Sequence, residues 1–350
     1  MMLGIKYPTG YSCCSRCKVK GTRIQVSDDA IVEESSDSDT STSTANSNMP
    51  GTSGMGINVR TARSYKTGRT RNRRIPIRCQ KKSNHKKKRT SEKTTVVRFL
   101  DHEPCEPRTD AEALDRNFRL NDMEKPSTER HFTGTTPLMK IDGIQLVSRT
   151  PLDYMHLICL GVVRTLVSLW ITPESRDKLK IQRESIENIN KKSSDIQNSI
   201  PLPFGNTPNE LKANWKATQA RAFLLYLGPV VLKEELPFII YDNFMKLSKA
   251  IRIGCSPKLC KSHVSLMRQL LREFVSEYHA IYGNSRMVYN IHNCLHLADD
   301  VELYAAALDI ISNFVYENHI FHMKTYYLKS STFPAAQTFK RDRKRSDLFS

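Results

Sequence analysis

Nothing limits the fold of this chain more than a gap in its apolar pattern. From about Gln25 to about Lys93 there is almost no apolar periodicity, so these residues have too little to bury to offset the entropy of ordering a backbone. A folded body must come from what flanks the gap, mainly Phe118 to Leu328, where Leu, Ile, Val, Phe and Tyr are dense enough for a core. With 350 residues, 39% of them hydrophobic, the chain reads as one mainly α domain carrying a long disordered insertion. Four segments follow: a short CxxC module at 1–24, an acidic then basic insertion at 25–93, a mostly helical domain at 94–330, and a basic tail at 331–350.

The formal net charge of +18 is concentrated in the gap. Asp28, Asp29, Glu33, Glu34, Asp37 and Asp39 make an acidic, Ser/Thr-rich run. Between Arg60 and Lys93, fifteen Lys or Arg then face a single acid, Glu92. Such blocks are solvated and extended. The cluster of Arg71, Arg73, Arg74, Lys86, Lys87, Lys88 and Arg89 suits a nuclear import signal or contact with DNA phosphates, without sequence specificity. A charged solubilising loop is the plainer alternative. The expected location is the nucleus. The opening Met1 to Pro8 is too short and polar for a signal peptide, and no window approaches the ~18 apolar residues of a membrane span. Nine scattered cysteines then fit a reducing compartment without disulfides, and no membrane partner.

The periodicity predicts a strand over Thr94 to Leu100 and a polar stretch over Asp110 to Arg130, with a turn at Pro126-Ser127. From Asp153, Leu157, Leu160, Val163, Leu166 and Trp170 predict a deeply buried helix. Glu184 to Pro203 reads as a polar linker. A second helix runs from Asn209 to Leu227 and is stopped by Gly228-Pro229. A third spans Pro237 to Ile253. A fourth spans His263 to Tyr282, with Leu266, Leu270, Phe274 and Tyr278 as its apolar ladder. Short helices over Ile291 to Leu297 and Val301 to Leu308 precede a last one at Val315 to Leu328.

Four sets of residues could carry chemistry. Asp153 and His156 share one helical face at the mouth of an apolar helix, where each needs a partner. Cys14 and Cys17 have the spacing that brings two thiolates to one zinc ion at a turn, but the sequence supplies no further pair of ligands at a suitable spacing. Cys13 is adjacent to Cys14, and His102, Cys105 and His131 lie far along the chain. A pair of buried or reactive thiols is the alternative. His292 and His296, four apart and followed by Asp299 and Asp300, could bind zinc or could be core histidines hydrogen-bonded within a helix. Glu317 interrupts an apolar run expected to be buried, where a carboxylate needs a cation or an ion pair, with Lys324 a ready one. Hard oxygen ligands of this kind suit magnesium.

Taken in order, these blocks resemble the transposases of CACTA (En/Spm) DNA transposons. The resemblance rests on Gly10-Tyr-Ser-Cys-Cys-Ser-Arg-Cys17, on Arg108-Thr-Asp110 followed by Pro151-Leu-Asp-Tyr-Met-His156, on Trp215-Lys-Ala-Thr218 with Arg221, and on His292 to Val301 through Tyr316-Glu-Asn318. It covers roughly Tyr7 to Arg23 and Thr95 to Leu328. It implies the insertion and C-terminal part of an RNase H-like transposase, whose two Asp and one Glu hold two divalent ions for phosphoryl displacement. Glu317 would be the closing Glu, and Asp153 and His156 the Asp-x-x-His signature. The strands carrying both Asp should precede the CxxC module and are expected to be missing here. Magnesium would then have no intact core to bind. The 25–93 block also departs from the family, where a shorter connection is expected. A truncated or domesticated transposase derivative, inactive alone, is therefore expected. The rival readings are a nuclear DNA-binding module, a protein-interaction or self-associating remnant with exposed apolar surface, and a product without function.

Overall fold

A computed structural model of the chain describes residues 10–25, 95–101, 105–172, 179, 181–200 and 207–326, together with 339 and 343. The insertion read at 25–93, apart from Gln25, lies outside the described residues, and so do Arg71, Arg73, Arg74, Lys86, Lys87, Lys88 and Arg89. What is described is mainly α-helical. Its strands are Thr22–Gln25 and Thr95–Arg98, paired antiparallel with Thr22 opposite Arg98. Residues 10–25, which read in sequence as a short module, belong to one compact unit with the helical residues. No described helix is long and apolar enough to cross a membrane.

The core is built on the helix predicted from Asp153. It runs as a wide π-helical segment, Met155–Val163, and continues as Arg164–Ile171. Asp153 starts it by accepting the Met155 N–H at 3.1 Å and the His156 N–H at 3.3 Å. Trp170 is fully buried, meets Phe244 edge-on at 5.9 Å and donates its indole N–H to the Tyr282 hydroxyl at 3.3 Å. Phe238–Cys255 and Val264–Tyr282 pack side by side as the largest helix pair. The second ends at Gly283, whose φ of 84° is one that other residues adopt only with strain.

Four local expectations are corrected. The polar linker at 184–203 is largely the helix Arg183–Ile196, which turns Ile186, Ile189, Ser193 and Ile196 toward the core. Gly228-Pro229 does not stop the preceding helix. A π turn at Phe223–Leu227 leads into Gly228–Val231, and Ser248 Oγ donates to the Leu224 carbonyl at 2.7 Å. That side-chain bond supplies a partner where proline has no N–H to give. The polar stretch at 110–130 holds the helices Asp110–Leu114 and Arg116–Glu124, capped by Thr109 and Asp115. In the fourth helix, Leu266 is 42% exposed, and the buried stripe is Met267, Leu271, Phe274, Val275, Tyr278 and Tyr282. A strict four-residue ladder drifts about 40° per step around a helix of 3.6 residues per turn, so it cannot stay on one face.

Candidate metal centre

Cys14, Cys17, His292 and His296 come together in the interior. Their ligand atoms all lie within 4.8 Å of one another, and all four residues are buried. Among the described residues this is the single group of three or more His, Cys, Asp or Glu side chains that could hold a metal ion. The two ligands missing from the local sequence of the CxxC are therefore supplied from the far end of the chain.

Local folding explains each half. The turn at Cys14-Ser-Arg-Cys17 folds back so that the Arg16 N–H donates to Cys14 Sγ at 3.3 Å. The histidines sit on a short helical run, Tyr289–Asn293 followed by Cys294–His296, which sets their rings edge to face at 5.2 Å. His292 Nε2 lies 3.3 Å from Cys17 Sγ and 3.4 Å from His296 Nε2. A tetrahedral ion bound about 2.0–2.1 Å from two imidazole nitrogens keeps them roughly 3.3–3.4 Å apart, so the donor spacing fits a zinc-sized ion. The donor set, two thiols and two imidazoles, is also one that zinc takes in closed structural sites.

The electrostatics favour a cation. Burial alone would raise the Cys14 thiol, but hydrogen bonds with Cys17, His292 and His296 outweigh it and hold Cys14 well below the usual thiol range. Cys17 is raised, first by its hydrogen bond with Cys14 and then by burial. Burial pushes His296 down, but Asp299 and Cys14 overcome this and raise it to about 9. Its Nδ1 faces Asp299 Oδ2 at 3.6 Å. A carboxylate behind a metal-binding imidazole fixes ring orientation.

The surroundings clamp the CxxC turn in place. Arg16, inside the motif, pairs with Asp300, and Asp300 also accepts the Leu152 N–H at 2.7 Å. Arg16 further donates to the Val147 carbonyl at 2.6 Å. Arg108 donates to the Cys14 carbonyl at 2.7 Å, the Ser12 carbonyl at 3.4 Å and His131 Nδ1 at 2.7 Å. Burial, then the Arg108 charge, pushes His131 down to about 4, which leaves its ring neutral to accept that bond. Asp110 accepts the Val147 N–H at 2.7 Å. The Arg108-Thr-Asp110 block is thus a set of braces: Arg108 on the cysteine turn, Thr109 on a helix start, Asp110 on the loop below. Sequence reading missed Arg16 and Arg108 as supports of the site. The signal available was a cation inside a CxxC with an Asp pair after the histidines.

Cys105, distant in sequence, packs against the small buried cluster formed by Cys13, Cys14, Cys17, Val19 and Phe99. His131 stands behind Arg108, and His102 lies outside the described residues.

Asp153 and His156 satisfy each other through a short Nδ1 to Oδ2 contact, with His156 53% exposed. Asp153 also accepts the Asn313 N–H at 3.0 Å. Glu317 is exposed on the helix Phe314–Tyr326, which corrects the expectation of a buried carboxylate. Lys324, the cation suggested for it, has no described side-chain environment. The Glu317 charge helps raise His156, so it faces the same edge of the fold, but the three do not form a metal-ligating group. Phe314–Tyr326 packs poorly: Val315, Tyr316 and Phe321 are each more than 60% exposed.

Comparison of the chain with protein-family models, characterised proteins and solved structures returns no match.

Proposed function

We propose that the chain is a zinc-stapled helical domain derived from a CACTA-type transposase and catalytically silent alone. The observation that carries the zinc is the convergence of Cys14 and Cys17 with His292 and His296, which are otherwise more than two hundred and seventy residues apart. The ion closes a long loop of chain, adds binding free energy that only the folded state collects, and pins residues 10–25 to the helical core. Zinc here is structural, because four protein ligands leave no open position for a substrate. The test is metal analysis of the purified full chain. One zinc per chain, lost in Cys14→Ser, is expected; a well-folded chain without bound metal overturns the reading.

The transposase origin rests on the order of the sequence blocks, and the silence on what surrounds Glu317. Its neighbours Asp153 and His156 are committed to each other, and the strands among the described residues form a two-stranded ribbon rather than a catalytic sheet. Purified chain with Mg²⁺ or Mn²⁺ should leave DNA uncut. Metal-dependent cleavage that disappears in Glu317→Ala overturns it. The fifteen cations at 60–93 support a companion role in the nucleus, holding DNA through its phosphates. Deleting residues 60–93 should then abolish DNA binding, and binding by the intact chain should fall steeply as salt rises. The exposed apolar residues of Phe314–Tyr326 support a protein partner or a second copy there. Sedimentation as a clean monomer at high concentration argues against the copy.

A further inference from the structure

Cys105 stands outside the four-residue set yet touches it. Cys17 forms an antiparallel bridge with Pro107, the Lys18 N–H donates to the Glu106 carbonyl at 2.9 Å, and the Arg108 N–H donates to the Arg16 carbonyl at 2.8 Å. Residues 105–108 therefore run alongside 16–19 as a short ribbon. Side chains two apart on an extended segment share a face. Cys105, two before Pro107, is thus placed diagonally from Cys17 on the same side, within reach of it. Cys105 packs against the buried cluster that contains Cys17. Cys13, Cys14 and Cys17 are at most 2% exposed, whereas Cys105 is only half-buried.

The two histidines are held unequally. His296 has Asp299 behind its Nδ1. His292 is fully buried, and its Nδ1 finds no hydrogen-bond partner. A ligating imidazole normally donates that second N–H to an acceptor, which fixes its tautomer and strengthens its donor nitrogen. His292 lacks this support and is the weaker of the two nitrogen ligands. Its ring lies against Phe99 at 5.5 Å.

We infer that Cys105 is a reserve ligand: when a soft, thiophilic ion such as Cd²⁺ enters, its thiolate displaces His292 and the centre changes from two thiolates and two imidazoles to three thiolates and one imidazole. The inference rests on the four-residue cluster being a metal site. Soft ions select thiolate over imidazole, whereas a borderline ion such as zinc accepts both and takes the set already in place. On ligation the Cys105 proton leaves to solvent through its exposed side, and His292 stays in its pocket, released from the ion. The ribbon need only let one thiol rotate, because Cys105 already packs beside the cluster that holds Cys17.

The sulfur-to-metal charge-transfer absorbance per bound ion counts thiolates and tests this directly. The full chain and its Cys105→Ser and Cys105→Ala variants would be loaded with Cd²⁺ and, separately, with Co²⁺ as a borderline zinc substitute. The cadmium band of the native chain should be about 1.5 times that of either variant, the ratio of three thiolates to two. The cobalt spectra of all three should coincide, which also shows that the variants fold. Equal cadmium bands in native and variant chains overturn the inference, and so does a cobalt band that falls with Cys105, since Cys105 would then be an ordinary ligand. If neither ion gives a band in any of the three, the metal centre itself falls.

Discussion

The metal corner and the Asp153 edge begin alike and end differently. Both place acids, histidines or cysteines inside apolar sequence, at spacings that share a helical face or a turn. At the corner, Cys14, Cys17, His292 and His296 are all buried and converge, with Arg16, Arg108, Asp299 and Asp300 arranged behind them. At the edge, Asp153 and His156 pair with each other at the surface, and Glu317 stands nearby in solvent. The contrast teaches that burial, rather than spacing, separates a site from a cap. In water an Asp and a His can settle with one partner, but in the interior every polar atom needs one, and the chain must bring in more.

Breaking the corner should have the largest effect. Cys17→Ala should eliminate bound zinc, release residues 10–25 to protease and cost more than about 3 kcal/mol, since structural zinc contributes roughly 10–16 kcal/mol in small domains. Denaturant unfolding with metal analysis on the same sample checks it; unchanged stability on metal loss would detach the corner from the fold. Next is Asp300→Ala, which strands the buried Arg16 and should cost about 3–5 kcal/mol, read as a shifted urea midpoint. A shift under 1 kcal/mol would mean that Arg16 finds water.

The edge should respond less. Asp153→Ala removes a helix cap and the Asn313 tie, for about 1–2 kcal/mol. His156→Ala should cost under about 1 kcal/mol, because the ring is half in water. Its pH dependence has a definite sign. The hydrogen bond to Asp153 raises His156, so its contribution is complete below the ordinary imidazole value near 6.5 and is lost as pH rises through the raised one. Burial pushes Asp153 up, but His156 and the Asn313 amide overcome this and lower it. Its contribution is therefore present above the ordinary carboxylate range and lost as pH falls through the lowered value. Native and His156→Ala melting curves should differ between those limits and merge in alkali; a constant gap would sink the pairing. Smallest of all, Glu317→Ala should change the unfolding free energy by less than about 0.5 kcal/mol, read from denaturant unfolding.

Much of the helical layout was legible because apolar periodicity is local. The helices from Asp153, Pro237 and His263 appear within a few residues of their predicted ends. Misreadings came where a neighbour decided the outcome. Arg183–Ile196 has only a narrow apolar stripe, and its helix depends on the core that receives Ile189. Pro229 continues a helix because Ser248, from another helix, reaches Leu224. Glu317 seemed buried because its sequence neighbours are apolar, yet Val315, Tyr316 and Phe321 are themselves in solvent.

By itself the sequence determined a helical body, a charged block at 60–93 and two pairs of ligand-type residues, each at a spacing suited to one ion. Only the tertiary structure decided that these are halves of one cluster, that Cys105 lies beside it, and that Glu317 is apart from it. The physical reason is range. Turns and helix faces are set by neighbours a few residues away, whereas bringing Cys17 to His292 means closing a loop of most of the chain, an event that no spacing rule encodes and that packing of the core makes possible.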